Sequence, residues 1–145
     1  MKISDALIFN VIRVPLRATI REAVEIMSAH QISDLMVVDD ANKFVGVLSE
    51  GDLIRAGMPK FDEMVAEGSM TSGIQIFQDK GKSLANAPIE PLVIKNAIVV
   101  KPSDDLLTAA SIMVKKQIRR LPVVDNGQLV GTVSRTDVCR AVLRP

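Results

Sequence analysis

Apolar positions along residues 10–56 change period three times. Residues 11–14, Val-Ile-Arg-Val, form a short extended run that ends at the turn marked by Pro15. Ile20, Ala23, Val24 and Met27 then follow the i, i+3, i+4, i+7 spacing that predicts a helix with one apolar face. Two apolar runs come next, LMVVD and FVGVL, which read as a pair of strands, and a second helix begins near Asp52. The same succession returns in residues 96–141. Residues 98–100 are extended before Pro102, Leu106, Ala109, Ala110 and Met113 give a helical face, LPVVD and LVGTV give two strands, and a helix starts near Asp137. The pattern predicts β-α-β-β-α twice over.

The residues themselves repeat as well as their periods. At an offset of 86, Asn10, Ile12, Val14, Ala23, Ile26, Met27, Gln31, Ile32, Leu35, Val37, Val38 and Asp39 recur as Asn96, Ile98, Val100, Ala109, Ile112, Met113, Gln117, Ile118, Leu121, Val123, Val124 and Asp125. A one-residue deletion in the turn after Asp39 follows, beyond which Val45, Gly46, Ser49, Asp52, Arg55 and Ala56 recur as Val130, Gly131, Ser134, Asp137, Arg140 and Ala141. This makes about 18 identities in some 46 positions. Thr19 with Glu22 spells a capping box, Ser103, Asp104 and Asp105 suit the positive end of the later helix, and Lys115 and Lys116 suit its negative end. Asn126-Gly127 is a hairpin turn signal.

One such unit is too small to bury its sheet alone, whereas two can pack sheet to sheet with pseudo-twofold symmetry. The expected fold class is therefore α+β (mixed α/β), one domain over residues 1–145, with a first repeat in 1–56, an insertion in 57–95 and a second repeat in 96–145. The insertion holds two partly helical stretches, MPKFDEMVAE and IQIFQDKGKSLA, and the proline-framed PIEP.

Composition narrows the function. With 145 residues, 48% of them hydrophobic and 24% charged, the chain is sized for one compact domain and unlike a disordered segment. Its aromatics are four Phe, too few for base-stacking platforms, and a net charge of +1 does not mark a polyanion binder, so nucleic acid is not an expected partner. One Cys and one His cannot assemble a disulfide or a Cys/His metal site, and no catalytic triad is available. The N-terminal run is interrupted by Asp5, Asn10 and Arg13, and no later run is long enough to span a membrane, so a soluble cytoplasmic protein is expected.

Candidate chemistry sits at the repeated GxxSxxD, Gly46-Ser49-Asp52 and Gly131-Ser134-Asp137, where each apolar strand gives way to a helix. A carboxylate there can accept from two vicinal hydroxyls, and a Ser beside the helix N-terminus adds a hydroxyl and free N–H groups, as a ribose and a phosphate require. The same spacing is an ordinary capping box, which is the competing reading. Arg119 and Arg120, just before LPVVD, are placed to clamp a phosphate, the alternative being a solvated basic strand edge. The first copy has Ser33 and Asp34 in their stead. Residues 10–56 carry five Lys/Arg and seven Asp/Glu, whereas residues 96–141 carry seven and four, so an anion is expected to favour one half. His30 has no partner suggesting catalysis, and Cys139 reads as a small buried hydrophobe.

These residues resemble a known family: paired CBS domains, the Bateman module. VVKPSDDLLTAASIMVKKQIRRLPVVDNGQLVGTVSRTDV is similar to the family pattern nearly end to end, and VIRVPLRATIREAVEIMSAHQISDLMVVDDANKFVGVLSEGDL is a slightly degraded version, with Leu16 for Pro102 and Met36 for Pro122. Together they cover about 90 of the 145 residues. The resemblance implies a regulatory, non-catalytic module that requires no cofactor and senses AMP, ADP, ATP or S-adenosylmethionine in clefts between the repeats. It implies Asp52 and Asp137 as ribose binders, Ser49 and Ser134 beside them, and Arg119 and Arg120 at phosphate. Adenine is expected against Ile98, Val99 and Val100 in the Asp52 cleft and against Ile12 in the Asp137 cleft. Arg119 and Arg120 then serve the Asp52 cleft, with Ser33 and Asp34 in the other, where a carboxylate repels phosphate. A homodimer and a regulated partner protein are also expected. The rival reading is a structural module that dimerises or docks a partner and leaves its clefts empty.

Overall fold

The computed structural model describes residues 1–9, 11–63 and 70–144. In the first repeat, β1 (Arg13–Pro15) pairs parallel with β2 (Asp34–Val38), which pairs antiparallel with β3 (Phe44–Ser49). Helix α1 (Ile20–His30) joins β1 to β2, and α2 (Glu50–Gly57) leaves β3. In the second repeat α4 (Leu106–Lys116) precedes the hairpin β4 (Arg120–Asp125) and β5 (Gln128–Ser134), and α5 (Arg135–Leu143) follows. Between them α3 (Met70–Leu84) contains most of the second helical stretch of the insertion. Residues 61–63 of the first stretch are helical, and its end, residues 64–67, lies outside the described residues.

Local chemistry explains where these elements start and stop. Thr19 Oγ1 accepts from Glu22 N at 3.2 Å while Glu22 Oε1 accepts from Thr19 N at 3.4 Å, the reciprocal box that launches α1. Asp105 stands at the positive end of α4 as expected and is its N-cap, but it makes no side-chain cap and its carboxylate accepts from Lys2 Nζ at 2.8 Å. Both helices end on a glutamine in the left-handed region, Gln31 at φ 55° and Gln117 at φ 56°, and Asn126 and Gly127 make the expected turn at φ 51° and 80°.

Each repeat has its own core. Ile20, Ala23 and Met27 of α1 pack with Leu35, Val37 and Leu48, and Leu106, Ala109 and Met113 of α4 pack with Leu121, Val123 and Val133. Val24, placed on the apolar face by its spacing, is exposed. The alternate face of β2, Met36 and Val38, meets Leu129 of β5 in a third cluster, so the sheets close on one another across the pseudo-twofold. The hairpin tips also touch. Phe44 N donates to Gly127 O at 2.9 Å, Asn42 Nδ2 donates to Leu129 O at 3.2 Å, and Asn42 Oδ1 accepts from Arg13 Nη1.

The repeats also exchange their outer edges. Residues 3–8 lie against the second repeat, where Ile3, Ala6 and Leu7 enter its core and Ile8 bridges Thr132 of β5. Residues 87–94 do the same for the first repeat, with Ile89 and Val93 in its core and Ile94 bridging Val47 of β3. The PIEP segment is thus the first repeat's edge and floor.

Candidate functional site

The two strand-to-helix exits share the same reciprocal capping box and arginine ion pair, and the first adds a bond from the serine hydroxyl to the carboxylate. Ser49 Oγ accepts from Asp52 N at 3.3 Å and donates to Asp52 Oδ2 at 2.7 Å, while Ser49 N donates to Asp52 Oδ2 at 3.2 Å. Arg55, one turn on, donates to Asp52 Oδ1 at 2.6 Å. In the second repeat Ser134 Oγ accepts from Asp137 N at 3.1 Å, Ser134 N donates to Asp137 Oδ2 at 2.8 Å, and Arg140 donates to Asp137 Oδ1 at 2.7 Å. Both carboxylates therefore cap their helices, the competing reading of SxxD. An ionised carboxylate has about four lone-pair positions, so capping does not exhaust either one. Burial alone would push the Asp52 pKa up; the Ser49 hydroxyl, the Arg55 guanidinium and the Ser49 N–H together hold it below its ordinary value.

The beginnings of β2 and β4 line, from the two repeats, an open cavity of about 350 Å³. Arg119, Arg120, Ser134, Arg135 and Thr136 line it from the second repeat, and Ser33 and Asp34 from the first. Arg135 is tied down, donating through Nε to Ile118 O at 3.0 Å and through Nη2 to Met113 O at 3.1 Å, where it caps α4. Arg119 and Arg120 make no side-chain hydrogen bond or ion pair among the described residues. Burial raises the Asp34 pKa, and the charges of Arg120 and Arg119 offset only part of that rise. A second cavity, about 600 Å³, adjoins the first through Arg119 and is walled by Val24, Met27, Leu53 and Ile54 with Glu50 at its rim.

The geometry gathers part of the set expected from sequence and separates the rest. Arg119, Arg120 and Ser134 share the smaller cavity, and Asp137 adjoins it through the Ser134 cap. The sequence places Asp34 in a cleft away from the arginines; in the structure it lines the same cavity as Arg119 and Arg120, because the starts of β2 and β4 both open onto it. Ser49 and Asp52 line neither cavity, though Arg119 reaches the α2 side beside Glu50. Val100 is unsuited to a ligand wall: it is 2% exposed in the second core, its N–H donates to Pro122 O and its carbonyl accepts from Val124 N. Ile12 packs on the first repeat's core, and Ile98 lines a separate cavity along α4 with Leu107, Ser111 and Lys115. Val99 is exposed. Cys139 is exposed rather than buried, because α5 turns Val138 and Ala141, not Cys139, toward the core. Arg135 and Thr136, which the sequence does not single out, also line the smaller cavity, next to Ser134 at the start of its helix.

Comparison with known proteins agrees with the repeat. The CBS domain family matches residues 3–58 and again residues 89–144. The chain is 31% identical over 138 residues to the chloroplastic CBS domain-containing protein CBSX1 of Arabidopsis thaliana, covering 87% of this chain and 56% of CBSX1. It is 31% identical over 128 residues to protein MJ1225 of Methanocaldococcus jannaschii, covering 88% of this chain and 38% of that one. This chain thus spans about half or less of the length of these two relatives. Among solved structures, CBSX2 from Arabidopsis thaliana superposes with a TM-score of 0.79 at 26% identity, covering 99% of this chain and 94% of CBSX2. A CBSX2 structure in complex with AMP superposes with a TM-score of 0.74 at 27% identity, covering 99% of this chain and 96% of that one. Two family matches, two cores and two capped GxxSxxD exits make the chain a member of the CBS domain family, a tandem pair.

Proposed function

We propose that the chain is a regulatory module that binds an adenine nucleotide, AMP, ADP or ATP, or the related S-adenosylmethionine, between its repeats and signals through the resulting change in their packing. The observation that carries this reading is the inter-repeat cavity, in which Arg119 and Arg120 stand without a side-chain partner among the described residues, beside Ser134 and Thr136. Two guanidiniums on an open cleft, Arg119 exposed and Arg120 half-buried, next to a helix start are a phosphate-binding chemistry. The AMP complex of CBSX2, a chain of the same fold, makes adenine nucleotides the ligand class to test. In this reading Arg119 and Arg120 take the phosphate and Asp137 the ribose hydroxyls, with Asp52 its counterpart on the α2 side of Arg119.

The mechanism is a shift of population: a ligand touching both repeats favours the arrangement in which they close on it, and a partner protein reads that arrangement. Val24 and Ile54 in the first repeat and Leu107, Val114 and Val142 in the second leave apolar side chains on the outer helix faces, which supports a homodimer built on them. Thermal unfolding with AMP, ADP, ATP, adenosine and S-adenosylmethionine tests the reading, since ligand at about 100 times its Kd stabilises by about 2.7 kcal/mol. Arg120→Ala and Asp137→Ala are expected to weaken AMP at least ~10-fold, about 1.4 kcal/mol each. Loss through Asp52→Ala with Asp137→Ala silent places the nucleotide on the α2 side. No shift with any adenosine compound favours the structural, partner-docking module.

A further inference from the structure

The two halves of the inter-repeat cavity are structural counterparts of opposite charge. Glu50 N donates to Ser33 O at 2.9 Å, and the equivalent bond in the second repeat runs from Arg135 N to Arg119 O at 3.0 Å. The backbone therefore superimposes Ser33, Asp34 and Glu50 on Arg119, Arg120 and Arg135, three positions with two carboxylates in one repeat and three guanidiniums in the other. With Arg135 spent on the carbonyls of α4, the cationic side available to a ligand is Arg119 and Arg120. Asp34 lies in the same cavity and forms no ion pair with either, so its charge acts on whatever anion the arginines hold. The groups facing it are Arg119, Arg120 and, at the α2 rim, Glu50.

We infer that Asp34 is a specificity-determining residue of this cavity, setting the charge of phosphate group it accepts: a single phosphate is tolerated and a polyphosphate chain is disfavoured. This rests on the adenine-nucleotide reading and sharpens it to monophosphate. The repulsion between Asp34 and a ligand grows with the ligand's charge, and at the half-buried Asp34 it is only partly screened. The Asp34 carboxylate cancels about one of the positive charges that line the cavity, a loss that weighs more on a polyphosphate chain than on a single phosphate because the repulsion scales with the ligand's charge. A neutral side chain at position 34 restores the full pair.

The test compares AMP, ATP and adenosine by calorimetric titration at one fixed ionic strength, on the unaltered chain and on Asp34→Asn, with Asp34→Ser as a second variant should the first fold poorly. Adenosine affinity is expected to stay unchanged, AMP to tighten a few-fold and ATP on the order of 10-fold or more, so the preference for AMP over ATP narrows. An unchanged AMP-to-ATP ratio overturns the inference, as does a preference of the unaltered chain for ATP. Thermal shifts with inorganic phosphate and tripolyphosphate separate this from failure of the nucleotide reading. If no adenine compound binds any of the proteins, that reading fails, and the inorganic pair decides alone. Tripolyphosphate stabilising Asp34→Asn more than the unaltered chain supports the role of Asp34, and equal stabilisation refutes it.

Discussion

Asp52 and Asp137 each combine two roles in one carboxylate: a helix cap made through Oδ2 and an ion pair made through Oδ1. The Asp52 pair is local, three residues apart, with Arg55 largely exposed and the carboxylate 13% exposed, so its worth is set by the cap more than by the guanidinium. Because the folded pKa of Asp52 is lowered, its ionised form contributes stability that is fully present above the unfolded-state value of about 4 and is lost as pH falls through the folded value. Urea denaturation of the parent and of Asp52→Asn between pH 3 and pH 7 is expected to show a gap in stability at neutral pH that closes in acid. A gap independent of pH shows that the charge contributes nothing and that Asp52 acts through shape alone. The same substitution leaves the arginine cavity intact, because Asp52 does not line it.

At the scale of elements, the helices and the four long strands were legible because each has a local cause: a capping box at Thr19, Ser49 or Ser134, an apolar face at helical spacing, an Asn-Gly turn. The short leading strands were less so. The first keeps only Arg13–Pro15, and its counterpart in the second repeat reduces to a single parallel bridge from Val100 to Val123, since an edge piece this short is defined by its partner. The exchanged edges were invisible for the same reason. Ile3 with Leu7 and Ile89 with Val93 are each four residues apart, but a single such pair is too short a run to predict an element, and the cores they enter are set by how the repeats dock. In the site, the arginines were legible by their deviation from the first copy, but Asp34 beside them was not, because which cleft it enters depends on how the repeats dock. The edges leave one signature in retrospect, the glycines repeated at 46 and 131. A Cβ on Gly131 would stand 2.6 Å from Ile8 O, and one on Gly46 would stand 2.3 Å from Ile94 O, both inside any tolerable contact. Gly131→Ala and Gly46→Ala are each expected to cost about 1–3 kcal/mol by forcing the edge segment off its strand. That is a fall in Tm of several degrees for a domain of this size. A Tm unchanged in Gly131→Ala rules out the close approach of residues 3–8 to β5.

For the whole molecule, edge exchange makes the two repeats one folding unit despite their separate cores. Removing the first repeat from the second strips away Ile3, which is fully buried, along with Ala6 and Leu7, and the reverse cut takes Ile89 and Val93 from the first core. Each buried aliphatic lost costs about 2–5 kcal/mol when truncated, and the sum of such losses is comparable to the entire stability of a small domain. The hairpin contact adds polar coupling through Asn42, whose carbonyl accepts from Leu129 N and whose side chain bonds Leu129 and Gln128 while its backbone sits at φ 63°. Calorimetry is therefore expected to show one transition in which the calorimetric and van't Hoff enthalpies agree. Asn42→Gly, which keeps the positive φ available and deletes the bridging amide, is expected to lower the midpoint while leaving a single transition. Two transitions in either protein show that the repeats unfold independently, and in that case a ligand in the cavity between them would have to align two loosely coupled bodies instead of tightening one. If Arg119 and Arg120 grip a phosphate as proposed, the coupling decides how that binding reaches the rest of the molecule. In a single cooperative unit, the second repeat cannot be drawn toward the ligand without moving residues 3–8 and the docked hairpin tip with it, and that movement is what a partner on the outer helices would read.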